Sequence, residues 1–468
     1  MATPKSRQAC LGCRRIKVAC DNPQTGEQCK RCVRLSMECV YTKSQRGRRN
    51  FHEKQNPLIA ILDPKLHTVS FLRTSSMLFT TILAAASKYA LPERHGTLLA
   101  HAESLINRAT NGGECCTALI QSLLILVYYK GPTDRSAWLK IGIAIRFAFQ
   151  LRWHEARPSM TLPADEHEAR LILDPERTWF CLVCFDRQYA DIFGLPTTIP
   201  MTDYGDCEAW ARSHFHLNIP VDIHLACSHA MVVADEFWGR IRKDHDEMPR
   251  RLVRTLLTSL YNQTVRHRRK WFPRDVPPAP THLQPARNLM EMFALSHQLI
   301  IKHHLLILAE PLDAEILLPE CVEHATNVVA AFEVVSKDGS PRYLHDAGAT
   351  TLSNLGLVLY KLFWRLGPDT RPYLIEVTKR ARDCCPPEGP LMYTARFLDR
   401  VLGLFQTAVA EDAVPAAEVG PPDQSQIDEF LRLAGSDLNQ FMVNDDYWAS
   451  LLSSSLEDPV YPSFALGM

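Results

Sequence analysis

The chain has 468 residues, 52 basic side chains against 52 acidic ones, and a formal net charge of zero. It is long enough to bury a sizeable core, and no uninterrupted apolar run reaches the roughly 18 residues of a membrane span. The neutral total conceals two opposed ends: residues 1–54 hold thirteen basic residues against four acids (+9), and residues 411–468 hold one against eleven (−10). Such asymmetry points to a nucleic-acid contact at one end and a protein partner at the other.

The basic end opens with six cysteines, Cys10, Cys13, Cys20, Cys29, Cys32 and Cys39, in two copies of C-x2-C-x6-C joined by an eight-residue loop. Thiolates at this density read as a metal site. A structural zinc takes about four ligands, so six thiolates serve two ions only when two of them bridge, and the alternative is one ion with two idle thiols. The repeat favours two ions, with Cys10 and Cys29, the first cysteine of each half, as the most economical bridges. A disulfide framework would need an oxidising compartment, and the first ten residues contain no apolar stretch that could act as a secretory signal. The other nine cysteines follow no repeat, as expected under reducing conditions. Without metal, so short and polar a segment has no core, and metal binding supplies its folding free energy, about 10 kcal/mol per site.

The run Ala9-Cys10-Leu11-Gly12-Cys13-Arg14-Arg15-Ile16-Lys17-Val18-Ala19-Cys20-Asp21, with Cys29-Lys30-Arg31-Cys32 and Cys39-Val40-Tyr41, resembles the fungal Zn2Cys6 binuclear-cluster transcription factors. It departs from them at Ala19, where many members have lysine, and in the loop 21–28, which is slightly long with its proline early, at Pro23. The resemblance implies two Zn2+ ions, a nuclear protein, and double-stranded DNA as partner. It also implies that the helix after the first C-x2-C enters the major groove and reads a CGG-type triplet. Lys17 matches the base-contacting position, and lysine donates to guanine O6 and N7. Arg14, Arg15, Lys30, Arg31 and Arg34 stand where cations meet phosphates and release counterions. Further basic residues at 43–49 extend this stretch as an import signal, a phosphate-binding arm or a solvated linker.

Residues 67–410 have helix-spaced apolar segments and are expected to form one large all-helical domain. Helices are predicted at 74–90, 117–130 (stopped by Gly131-Pro132), 136–151, from Pro175 through Phe185, and near 285–308, 320–335, 350–366 and 391–409. The proline-rich stretch 275–285 is the best internal seam. Trp138, Gly142, Ala144, Arg146 and Ala148, then Arg177-Thr178-Trp179-Phe180 and Phe185-Asp186-Arg187-Gln188, resemble the regulatory middle-homology domain of the same family. Gly142 and Ala144 are expected to permit close helix packing, and Arg146, Arg177, Asp186 and Arg187 to form buried or half-buried ion pairs. Cys181 and Cys184 read as core, and His297, His303 and His304 as surface or core residues, not metal ligands.

No phosphate-cradling glycine loop, nucleophile elbow or zincin helix occurs, and no catalytic residue is expected. Between cluster and body, Pro57 and Pro64 bracket only six residues with no sustained heptad, so coiled-coil dimerisation is not supported. After residue 410 acids interleave with bulky apolar groups, as in Ile427–Leu433 and Asp445–Leu452, the pattern of a coactivator-binding segment.

The sequence therefore predicts a small Zn2Cys6 DNA-binding domain (1–42), a basic, proline-containing linker (43–66), an all-α regulatory domain (67–410) and a mostly disordered acidic activation tail (411–468). The function read from it is a zinc-dependent, sequence-specific transcription factor acting on RNA polymerase II, not an enzyme. The alternative is a small-molecule sensor or scaffold in which the cluster is only structural.

Overall fold

Every regular element among the described residues is helical, and no strand occurs there. The computed structural model describes residues 10, 13, 18, 20, 28–35, 37 and 39, and residues 51–412 apart from 132–133, 156–161, 194, 244–247, 273–283, 345, 387–388 and 390. The acidic tail beyond Asp412 and the proline-rich seam at 275–285, apart from its last two residues, lie outside this set.

The N-terminal module contains α1 (Lys30–Arg34). The body begins with a π-turn at Phe51–Gln55, followed by α2 (Asn56–Ile59) and α3 (Val69–Leu72). Four longer helices follow: α4 (Ser76–Ala90), α5 (Pro92–Asn111), α6 (Thr117–Tyr128) and α7 (Ala137–Gln150). Ser75 starts α4 by accepting the Leu78 N–H on its hydroxyl, and Pro92 starts α5 one residue after α4 ends, at a position where its missing N–H costs nothing. In α6 every residue from Leu119 to Tyr128 is buried, because the helix is apolar on all sides and its neighbours α4, α7 and α8 cover it. The chain continues through α8 (Glu166–Phe193), α9 (Cys207–Ser213), α10 (Pro220–Lys243) and α11 (Arg250–Trp271). It closes with α12 (Gln284–Ile307), α13 (Pro311–Lys337), α14 (Asp346–Phe363), α15 (Arg371–Asp383) and α16 (Met392–Asp412). None of these helices is long and apolar enough to cross a membrane.

Three expectations change. The stretch 51–66, expected within a linker, is part of the body core: Phe51, Ile61, Leu62 and Leu66 are 0–1% exposed. The turn that folds it inward is held by Asn56, whose side chain donates to the Leu62 carbonyl and accepts its N–H, while Ala60 takes a left-handed conformation at φ 56°. Pro175 does not open a helix but sits inside α8. The hydrogen bond it removes is the one to the carbonyl four residues back, on Leu171, a residue that is 40% exposed. The close helix approach falls not at Gly142, where an added Cβ would meet only the Arg146 guanidinium at 3.9 Å, but at Gly356. There a Cβ would lie 2.7 Å from the Phe397 ring, so α14 and α16 pack in contact only because that position lacks a side chain.

A buried polar network ties the early segments to α8 and α10. Arg177, fully buried, donates through Nε and Nη2 to the Asp222 carboxylate (2.5 and 3.1 Å) and through Nη1 to Asp174 (3.3 Å). His214 Nε2 lies 2.9 Å from Asp222, and Gln121 donates to both oxygens of Asp174. Arg170 joins Asp63, Glu166 and the Leu217 carbonyl. Burial alone would raise the Asp222 carboxyl, yet Arg177 and His214 hold it below its ordinary value. Of the residues expected in ion pairs, Arg177 is paired at the centre of this network. Asp186 instead accepts the N–H groups of Thr198 and Ile199, and Arg146 is exposed.

Two histidines of α10, His229 buried and His224 partly buried, make the body acid-sensitive. Burial lowers His224 and His229 from 6.5 to about 4 each, so between those values the unfolded chain binds protons that the folded chain does not. Stability is therefore expected to fall as pH drops from 6.5 toward 4, by up to about 1.4 kcal/mol per unit for each histidine. Melting curves across this range, compared with a His229→Gln variant whose loss should be shallower, check it. Equal slopes would refute the assignment.

Candidate metal centre and nucleic-acid interface

The two cysteine half-patterns fold alike. In the first, the Cys13 N–H donates to Cys10 Sγ (3.4 Å), the Cys10 N–H to Cys20 Sγ (3.4 Å) and the Val18 N–H to the Cys13 carbonyl (3.1 Å). In the second, the Cys32 N–H donates to Cys29 Sγ (3.5 Å), the Cys29 N–H to Cys39 Sγ (3.2 Å) and the Met37 N–H to the Cys32 carbonyl (2.9 Å). Each contact of the first half recurs at the offset of 19 that separates Cys10 from Cys29. Cys29 is the N-cap of α1, so its sulfur faces N–H groups at a helix start, a place that stabilises an anion.

The six sulfurs converge as two groups of four, Cys10, Cys13, Cys20 and Cys29, and Cys10, Cys29, Cys32 and Cys39, with the ligand atoms of each group all within 4.8 Å. Cys10 and Cys29 belong to both and are 3.8 Å apart, with Cys10–Cys32 at 3.6 Å and Cys13–Cys29 at 3.7 Å. A tetrahedron of sulfurs around zinc, with bonds of about 2.3 Å, has edges of about 3.8 Å, so the sulfur spacing fits the ion. The donor set, thiolate alone, also suits zinc.

The thiols are not electrostatically alike. The Cys13 N–H lowers Cys10 to about 6, and the Cys32 N–H lowers Cys29. Burial pushes Cys13 up to about 12 and raises Cys32. Cys10 and Cys29 thus ionise more readily than Cys13 and Cys32, and metal must displace protons from those two, which makes affinity pH-dependent. Arg31, expected on the phosphate backbone, is half-buried and brings Nη1 within 4.0 Å of Cys13 Sγ, where its charge offsets an anionic cluster. Lys30 and Arg34, on the same helix, are exposed. Arg14, Arg15 and Lys17 lie outside the described residues. Sequence reading missed Arg31's second role and the backbone donors. The repeat signals the donors, and nothing in the sequence signals the arginine's direction.

Within the body, Ser213, His214 and Asp222 have the composition of a hydrolase triad but not its wiring. The Ser213 hydroxyl donates to the Trp210 carbonyl (2.7 Å) and stands 3.4 Å from His214 Nδ1, while Asp222 is shared with Arg177. Cys181 and Cys184 are core residues whose thiols burial raises.

The fold and site define a protein with a two-metal thiolate module followed by an all-helical body. Residues 8–48 match the fungal Zn(2)-Cys(6) binuclear cluster domain, and residues 50–214 match the fungal specific transcription factor domain. The chain thus carries the paired domains of a fungal zinc-cluster transcription factor, and its cluster domain binds two zinc ions. It is 29% identical over 177 residues to Protein priB of Lentinula edodes, a match that spans 36% of this chain and 29% of that protein. No solved structure matches it significantly. The second matched segment begins at residue 50, where the body core begins with Phe51.

Proposed function

We propose that this protein is a nuclear, sequence-specific DNA-binding regulator of RNA polymerase II transcription that reads a CGG-type triplet. The observation that carries the reading is the pair of four-thiol groups sharing Cys10 and Cys29. The thiolates of Cys10, Cys13, Cys20, Cys29, Cys32 and Cys39 hold two zinc ions, and the metal fixes the two cationic half-motifs relative to each other. Lys17 meets guanine edges in the major groove, while Arg14, Arg15, Lys30 and Arg34 bind phosphates. Arg31 steadies the cluster as well as facing the backbone. Residues 1–42 act as the DNA reader, the helical body regulates, and the acidic segment from 411 recruits coactivators. Because 51–66 packs into the body, that stretch is not available as a coiled coil, which supports DNA binding without a zipper.

Titrating duplexes that carry CGG or a scrambled triplet, at several salt concentrations, tests the reading. Lys17→Ala is expected to lose about tenfold or more of the preference for CGG, the equivalent of one good base contact. Arg34→Ala should keep the preference and reduce the salt slope by about one. A Lys17→Ala protein that discriminates as well as the parent would overturn the assignment of the reading helix.

A further inference from the structure

We propose that the groove between the first turns of α13 and the end of α14 binds a small monocarboxylate with an apolar body. The groove, a cavity of about 390 Å3, is lined by Leu306, Pro311, Ala314, Glu315, Leu318, Trp364 and Arg365. That volume lies within the roughly 300–1,000 Å3 typical of small-molecule sites. Residues 311, 314, 315 and 318 recur at helical spacing and form one face of α13. Leu306, Ala314, Leu318 and the Trp364 ring supply apolar wall.

Arg365 is the group that asks for a ligand. It is half-buried, and among the described residues it has no carboxylate within ion-pair distance. Burial lowers its guanidinium, and the group that opposes this is the Cys321 thiol, itself pushed by burial up to about 12 and so uncharged at neutral pH. Two further cations stand close to it. Lys361, one turn earlier on α14, is lowered to about 8 by burial and then by Arg365. The Arg371 guanidinium lies over the Phe363 and Trp364 rings, 5.1 and 5.8 Å from their centroids. The carbonyl end of α14 partly offsets such charge but cannot offer a paired, bidentate acceptor. A carboxylate in the groove can.

Glu315 limits what that anion is. It lines the same groove, is exposed, and makes no ion pair with Arg365 among the described contacts. Its charge opposes a second negative group, which favours a singly charged ligand over phosphate or a dicarboxylate. The proposal does not depend on DNA recognition by the N-terminal module.

Calorimetric titration of the full zinc-loaded chain with phenylacetate and with octanoate tests it, using phenylacetamide and inorganic phosphate as comparisons. One of the two carboxylates should saturate a single site, with the amide and phosphate about tenfold or more weaker. Arg365→Gln should weaken the carboxylate by a similar factor and leave the amide unchanged. Ala314→Trp, which fills the groove and keeps Arg365, should abolish binding and decides the matter if Arg365→Gln does not fold. No saturable binding of either carboxylate, equal affinity for the amide, or unchanged affinity in a folded Arg365→Gln or Ala314→Trp protein would each overturn the proposal.

Discussion

Cys10→Ser is expected to strip the N-terminal module of both zinc ions, whereas Cys20→Ser leaves one. Cys10 belongs to both four-thiol groups, so its loss leaves each with three sulfurs; Cys20 belongs to one, and the group of Cys10, Cys29, Cys32 and Cys39 stays complete. The consequence is large because the module has almost nothing else. The buried apolar cluster of its described residues consists of cysteines alone, and Val18, Val33, Leu35 and Met37 are 41–57% exposed. Each structural zinc contributes about 10–16 kcal/mol of apparent binding energy, which in such a module is folding energy. Specific DNA binding should therefore fall to the non-specific level in Cys10→Ser, a loss of about a thousandfold or more. The melting temperature of the body should stay where it was. Elemental analysis of the purified proteins gives the zinc count directly, and equal zinc in the two variants would refute the sharing of Cys10.

The same loss should follow chelation, with a pH signature. Burial leaves the Cys13 and Cys32 thiols protonated without metal, so zinc uptake must release protons there. Reloading a chelated sample is expected to be markedly weaker at pH 6 than at pH 8 and to acidify a weakly buffered solution.

Much of this centre was legible in the sequence because zinc chemistry constrains it from outside. A fixed ligand number and a repeat at an offset of 19 leave few ways to arrange six sulfurs. The apolar helices were legible for a related reason. Thr117–Tyr128 and Ser76–Ala90 carry long apolar runs bounded by proline or glycine, and the structure places both as helices. Helices α5, α11 and α15 were not assigned, because charge and polar side chains dilute their periodicity. In α11 buried Val253, Leu257, Leu260 and Thr264 form a narrow stripe among seven arginines and lysines. Residues 51–66 were misread because prolines and a polar start suggested a linker, while the run Leu58-Ile-Ala-Ile-Leu62 that buries them has no helical period. Pro175 was taken as a helix start because proline is favoured in the first turn, whereas the packing that carries α8 through it is a tertiary property. The Arg177 network was expected as ion pairing, but its partners could not be named. Asp222 lies 45 residues from Arg177, and Asp63 lies 107 from Arg170.

That network gives the second large effect. Asp222→Ala is expected to destabilise the body by about 3–5 kcal/mol, because it leaves Arg177 fully buried with its main partner gone. Asp174 cannot replace it: one Arg177 nitrogen already reaches it at 3.3 Å, and both its oxygens accept from Gln121. His214 would lose its acceptor at the same time. The double variant Arg177→Met with Asp222→Leu removes both charges and should recover part of the loss, since replacing a buried pair by apolar groups is often close to neutral. Recovery should be incomplete, because Asp174 and His214 are then left facing apolar side chains. Denaturant melts of the parent, Arg177→Met, Asp222→Leu and the double variant measure this coupling. Zinc content should be unchanged in all four, because the network lies wholly in the helical body and shares no residue with the thiol groups. An Asp222→Ala protein within about 1 kcal/mol of the parent would mean that water reaches Arg177 and that the pair does not hold α8 to α10.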